Sequence, residues 1–315
     1  MPTSLFRFFN AFQGLSREIW LLSAVSLINR SGAMVVAFLT LYLTQSLHYD
    51  IKTSGYILSC FGIGAIIGAY LGGFLTDRVG YYRVQLLTLL SSGVMLLLLM
   101  VVQDFWMLCF TVMLNAIASE AFRPANSVAI RTHSDPTTRT RSLSLMRMSV
   151  NLAISFALIV GGYLASKGWH WLFIADGVTC FGAALLLFLF LKEKKDINSD
   201  STTKQEQPNL KDTPLSISHI KSPVLTLKSP YRDGHYMLFV LATFLGATVF
   251  LQIVWIIPAF FREIYGWSEA TIGWVSAINA FCVVGIEMPL IFGSKKSVLN
   301  YGLCVWVSFV MLWRI

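Results

Sequence analysis

The sequence predicts an all-α polytopic membrane protein with about nine membrane-spanning helices, and three observations carry that prediction. The 315 residues are 56% hydrophobic and only 13% charged, with a mean hydropathy of +0.66, far from the balance of a soluble enzyme. Apolar runs long enough to cross a hydrocarbon core recur along the chain. Basic residues gather in the short segments between those runs, on alternate sides, as a chain threaded through a bilayer requires.

On the rule that about 20 apolar residues span the core, the runs fall at 18–46, 54–76, 84–102, 106–128, 142–166, 170–191, 235–261, 270–293 and 298–315. The first run is too long for a signal peptide, has no small-residue cleavage site and leads straight into further spans, so it is expected to stay as the first helix. With the N-terminus inside, seventeen Lys and Arg lie on the cytoplasmic side and only Lys52, Lys167 and Arg262 on the other. Eight of the seventeen come from the long central loop, which counts least, yet the remainder still outnumber the other side. The expectation is a multi-pass protein of the cell inner membrane with its N-terminus and central loop in the cytoplasm.

The stretch 192–234, opening Lys-Glu-Lys-Lys-Asp and rich in Ser, Thr, Gln, Asn and Pro, is too polar to pack a core and reads as a flexible cytoplasmic linker. It divides a six-helix N-terminal bundle, 1–191, from a partial C-terminal bundle, 235–315, holding the seventh to ninth spans. Such a break suggests two equivalent halves with a solute site between them near the midplane. A second half as long as the first would run to about residue 409, so about ninety residues, or three helices, are expected to be missing.

The net charge of +8 is placed to face anionic lipid headgroups rather than nucleic acid. Cys60, Cys109, Cys180, Cys282 and Cys304 lie inside apolar runs without metal-ligand spacing and read as small hydrophobes. No nucleotide-binding loop and no nucleophile with a base is present, so an ATP-driven pump and a membrane hydrolase lack support; neither cofactor nor metal is expected, and the chain is not read as an enzyme. Gly64, Gly68 and Gly72 fall four apart on one helix face and predict close helix packing.

After the second run comes Gly72-Gly73-Phe74-Leu75-Thr76-Asp77-Arg78-Val79-Gly80-Tyr81-Tyr82-Arg83. A glycine allows the turn out of the helix, Asp77 and Arg78 can bridge helix ends, and Arg83 can anchor to the cytoplasmic face. This loop resembles the signature between the second and third helices of the major facilitator superfamily, although Tyr81 and Tyr82 stand where a basic pair is usual. The resemblance implies the major facilitator fold, and a gating motif of Gly73, Asp77, Arg78, Gly80 and Arg83 whose aspartate locks onto an eleventh helix. Nine runs do not reach that helix, so the lock is not expected to form in the family's way. Asn29-Arg30-Ser31-Gly32, Phe122-Arg123-Pro124-Ala125, and Arg147 with Asn151 before Gly161-Gly162 resemble the drug:proton antiporter branch, and would also suit uptake branches.

Ionisable residues at membrane depth are functional candidates by default. Arg30 in the first span and Glu120 in the fourth both reach about mid-bilayer and could pair. Arg123 sits one turn from Glu120, beside Pro124, and Arg147 enters from the fifth span. Glu120, Arg30, Arg123 and Arg147 are therefore expected to form a polar cluster that binds solute or couples it to a proton, with a static ion-pair network as the alternative. Glu287 is the second protonatable candidate, Gln252, Trp255 and Asn279 are polar or aromatic contacts, and Asp176 is expected at the interface. The function expected is secondary transport of a small solute by alternating access, by a monomer with a proton or other coupling ion, and efflux ahead of uptake. The other class of reading is a truncated membrane-inserted product without transport.

Overall fold

The computed structural model describes residues 14–191 and 233–278, all helices and turns with no strand among them. The helices are α1 (Arg17–Ser31), α2 (Met34–Leu41), α3 (Ile51–Val79), α4 (Tyr81–Leu99), α5 (Phe105–His133), α6 (Arg139–Lys167), α7 (Trp169–Phe190), α8 (Gly234–Trp255) and α9 (Ile257–Tyr265). A last described helix covers 269–278. Among the described residues, one compact unit holds 14–191 with 255–278, and a second holds 233–254. Glu287, Asn279, Cys282, Cys304, the ninth run and nearly all of the central loop lie outside the described residues, as do the side chains of Gln252 and Trp255.

Among the described residues, six spans are long and apolar enough to cross a membrane: α1 with α2 and its continuation to Ser46, then α3, α4, α5, α6 and α7. α1, α3 and α5 begin one to three residues ahead of the apolar runs, where polar side chains cap their first turns. Ser16 accepts from the Ile19 N–H at 3.4 Å, Asp50 from Thr53 at 3.2 Å, and Asp104 from Trp106 and Met107 at 3.1 and 3.2 Å. Hydrogen bonding from Thr53 holds the Asp50 carboxyl below the usual carboxylate range. At the other ends, α3 continues to Val79 and α5 to His133. Pro124 does not end α5, which runs straight on through it.

Two predicted spans are broken. The first run is not one helix: it stops at Ser31, restarts at Met34, and ends in a π-helical turn over Tyr42–Ser46. The seventh run stops at Trp255 and restarts at Ile257, where Pro258 occupies the first turn and needs no N–H partner.

α1 packs on α6 and α7, α3 on α5, and α4 on α5 and α7. Apolar side chains concentrate at the two ends of this bundle. One cluster contains Met34, Phe38, Tyr42, Leu108, Phe173 and Phe261, and the other contains Ile19, Leu22, Tyr81, Phe122, Leu145 and Leu187. Between them lie Ser26, Ser92, Asn115 and Asp176 among the buried polar residues.

The α3–α5 seam realises the glycine stripe. A Cβ on Gly64 would collide with the Met113 carbonyl, on Gly68 it would meet the Ile117 carbonyl at 2.5 Å, and on Gly72 the Ala121 Cα at 2.5 Å. Each step of four on α3 meets a step of four on α5, so backbone lies on backbone along the seam. Gly161 and Gly162 serve two neighbours: a Cβ on the first would meet Met34 and Phe38 of α2 at 3.0 Å each, and a Cβ on the second would meet the Glu269 carbonyl at 2.5 Å.

Candidate functional site

The mid-span cluster is built on α5 and α1. Glu120 Oε2 pairs with Arg123 Nε at 2.9 Å, one turn along the same helix, with Glu120 largely enclosed and Arg123 two-thirds exposed. Pro124 supplies no N–H to the Glu120 carbonyl, so the backbone as well as the side chain offers an acceptor here. Arg30, partly buried at the last turn of α1, lies within electrostatic reach of both Glu120 and Arg123. The ion-pair partner of Glu120 among the described residues is Arg123; Arg30 lies within electrostatic reach of the pair, and the direct pairing with Glu120 that the sequence made possible is not formed. Helical geometry explains the preference, because a residue three positions on needs no second helix to bring it close. Arg147 is exposed on α6.

Uncharged side chains flank this cluster on both sides along α5, Asn126 toward the Gly80 end and Asn115 toward the other. Gln85 of α4 donates to Asn126 Oδ1 of α5 at 3.0 Å, and Asn126 donates in turn to Ser26 of α1 at 3.2 Å. Ser92 donates to Asn115 Oδ1 at 3.0 Å, joining α4 to α5 a second time. Polar residues inside apolar runs were the available signal for these bonds, which lock neighbouring spans where lipid offers no partner.

Asp176 departs from expectation. It is wholly buried on α7, and its carboxylate accepts from the N–H groups of Met34 (3.2 Å) and Val35 (2.7 Å), the first residues of α2. Two turns of α7 thus touch the broken first span: Cys180, also buried, accepts from Asn29 Nδ2 at 3.8 Å. Cys60 and Cys109 are half-buried, and all three described cysteines are free.

In the signature loop, the turn glycine is Gly80, with φ +93°, a conformation costly for any other residue. Gly73 lies inside α3 with open space where a Cβ would go, so it is not the residue that lets the chain turn. Asp77, Arg78 and Arg83 are exposed, and the Arg78 guanidinium sits 4.2 Å from the centre of the Phe74 ring. Tyr81 points inward: its hydroxyl is 3.0 Å from His133 Nε2, with the rings edge to face, and the His133 carbonyl accepts from Ser16 Oγ at 3.0 Å. Replacing a basic residue by Tyr81 converts a headgroup anchor into a tie between α4, α5 and the start of α1.

At the opposite end, Gln45 bridges Arg262 and Glu269. With its amide turned to suit both, nitrogen donates to Glu269 at 2.7 Å and oxygen accepts from Arg262 at 2.9 Å. Arg262 also lies 3.5 Å from Glu269 and donates to the Trp267 carbonyl at 2.9 Å. A cavity of about 560 Å³ opens at this end, lined among others by Tyr42, His48, Gln103, Trp169 and His170. None of the mid-span cluster lines it. No group of three or more potential metal ligands occurs among the described residues.

The profile of the Major Facilitator Superfamily matches residues 19–313. Among curated relatives, the 3-(3-hydroxy-phenyl)propionate transporter of Escherichia coli (strain K12) is 27% identical over 54% of this chain and 41% of its own length. A Na(+), Li(+), K(+)/H(+) antiporter of Planococcus maritimus is 22% identical over 75% of this chain and 55% of its own. The chain thus spans about half the length of the curated relatives it matches. In fold it resembles a bacterial homologue of the human lysosomal transporter Spinster in an inward-facing, occupied conformation, with a TM-score of 0.67 at 14% identity over 89% of this chain and 61% of that one. It also resembles the nucleoside transporter NupG, with a TM-score of 0.65 at 14% identity over 88% and 67%. With its six-span bundle, glycine seam and signature loop, this multi-pass membrane protein belongs to the Major Facilitator Superfamily.

Proposed function

We propose that the protein moves a small amphipathic solute out of the cell by alternating access, in exchange for protons, as a monomer in the inner membrane with its N-terminus and central loop cytoplasmic. The observation that carries this reading is the Glu120–Arg123 pair at 2.9 Å, facing Arg30 at mid-span. A carboxylate held by an arginine of its own helix can exchange that partner for a proton without unfolding anything. When the proton arrives, Arg123 is released and the charge presented to the solute path changes. Arg147, and Glu287 in the second half, are the further residues of this path, and Gly73, Asp77, Arg78, Gly80 and Arg83 make the gating loop. The Planococcus relative, named as a cation/proton antiporter, supports exchange against protons.

A second reading has its own observation. Two arginines face one carboxylate in the cluster, leaving net positive charge that suits an anionic solute, as the Escherichia coli relative named for a phenylpropionate would carry. Uptake of an aromatic carboxylate then replaces efflux.

Ethidium extrusion from energised cells carrying the protein tests the first reading. Extrusion that a protonophore stops and that slows at least tenfold in Glu120→Gln supports it. An equal rate in the variant overturns the role of Glu120, whereas no ethidium movement together with proton-driven uptake of 3-hydroxyphenylpropionate favours the second reading.

A further inference from the structure

Asp176 is the buried carboxylate that the transport reading leaves unused. Its partners lie at the break in the first span. At Ser31–Ala33 the helical ladder stops: the N–H groups of Gly32 and Ala33 both fold back to the Arg30 carbonyl, the second at 3.2 Å, and Ser31 Oγ donates to Ile28 O at 2.8 Å. The helix restarts at Met34, and the first N–H groups of any helix have no carbonyl one turn behind them. In hydrocarbon no water can take their place.

Asp176 supplies the missing acceptors. Its Oδ1 takes the Met34 N–H at 3.2 Å and its Oδ2 the Val35 N–H at 2.7 Å, so both oxygens are used. A negative group at this point also faces the positive end of the α2 dipole. The approach that makes this possible is set by Gly32, where a Cβ would run into Thr179 Oγ1, itself donating to the Asp176 carbonyl at 2.9 Å. Arg30 lies at the other lip of the break. Its carbonyl ends α1, and its side chain lies within reach of Cys180, one turn along α7 from Asp176, as well as of Glu120 and Arg123.

We infer that Asp176 is a positioning residue: by capping the restarted half of the first span it fixes the break, and the break fixes Arg30 against the Glu120–Arg123 pair. The consequence for transport rests on the proposed role of that pair, while the cap itself does not. An amide keeps only one acceptor oxygen and turns an N–H toward the other donor, so Asp176→Asn half-undoes the cap, and Asp176→Glu retains both oxygens.

The test uses the full chain in lipid nanodiscs. Hydrogen–deuterium exchange is followed in the peptide covering residues 33–37, and arginine labelling by phenylglyoxal is mapped at Arg30 relative to Arg123. In Asp176→Asn, exchange at 33–37 rises at least tenfold, exchange across 85–95 of α4 stays as in the wild type, and relative labelling of Arg30 rises at least threefold. Asp176→Glu recovers most of both. Unchanged exchange at 33–37 overturns the cap. A rise shared equally by α4, or faster exchange with Arg30 labelling unmoved, overturns the positioning role. Absence of ethidium transport by the wild type would count against the proposed function alone, because the exchange result is read without it.

Discussion

Two helix junctions in this bundle are closed by opposite means. Along α3 and α5, three glycines at intervals of four remove every side chain that would hold the backbones apart, and contact is continuous for two turns. Between the first span and α7, the helix instead breaks, and a single carboxylate holds the broken end. Dispersion between close backbones cannot be switched off by a proton or a solute, whereas a polar cap and the arginine beside it respond to charge. On the proposed reading, the glycine seam is the rigid part of the half and the broken span the part that reports the state of the Glu120 cluster.

The contrast makes predictions that run from large to small. Gly68→Val adds a Cβ that would lie 2.5 Å from the Ile117 carbonyl oxygen and two methyls beyond it, and is expected to cost about 3 kcal/mol or more, read as loss of the monodisperse peak and of the thermal transition in detergent. Gly80→Ala should cost about 1–2 kcal/mol, since φ +93° is unfavourable for a residue with a Cβ; an unchanged melting temperature would show that the turn adjusts. Gln85→Leu removes the hydrogen bond to Asn126 and should cost about 1 kcal/mol in the same measurement, a figure in keeping with polar pairs between spanning helices. Gly73→Ala is expected to leave stability unchanged within about 0.5 kcal/mol or to raise it slightly, because open space surrounds its Cβ position and alanine favours a helix. The neighbouring Gly72→Ala must do the reverse, since its Cβ would meet Ala121. If the two adjacent substitutions behave alike, the seam is not where the glycines place it.

What could be read in the sequence follows the same division. Spacing carried the six spans and the glycine stripe, because both are periodic and depend on residue size and hydropathy alone. The break at Gly32–Ala33 was hidden: Met34 to Leu43 stays apolar, no proline marks the interruption, and the residue that stabilises it lies about 140 positions later on α7. Asp176 was expected at the interface because it lies near one end of its apolar run; its partners are backbone groups that no side-chain pattern reveals. The Glu120–Arg123 pair was legible from a spacing of three, whereas the position of Arg30 against it depends on how α1 and α5 cross. Gln45, Arg262 and Glu269 likewise come together only through folding; Arg262 was visible in sequence merely as a positive charge beside a span.

The measurement that bears most directly on the account is solute-driven proton movement in proteoliposomes. The protein is reconstituted with a pH-sensitive dye inside an acidic lumen, and ethidium is added outside. Alkalinisation of the lumen that depends on ethidium, and that is lost in Glu120→Gln while the variant keeps the wild-type melting temperature, is the predicted result. Ethidium-dependent alkalinisation at the same rate in both proteins, or none in the wild type, would contradict it.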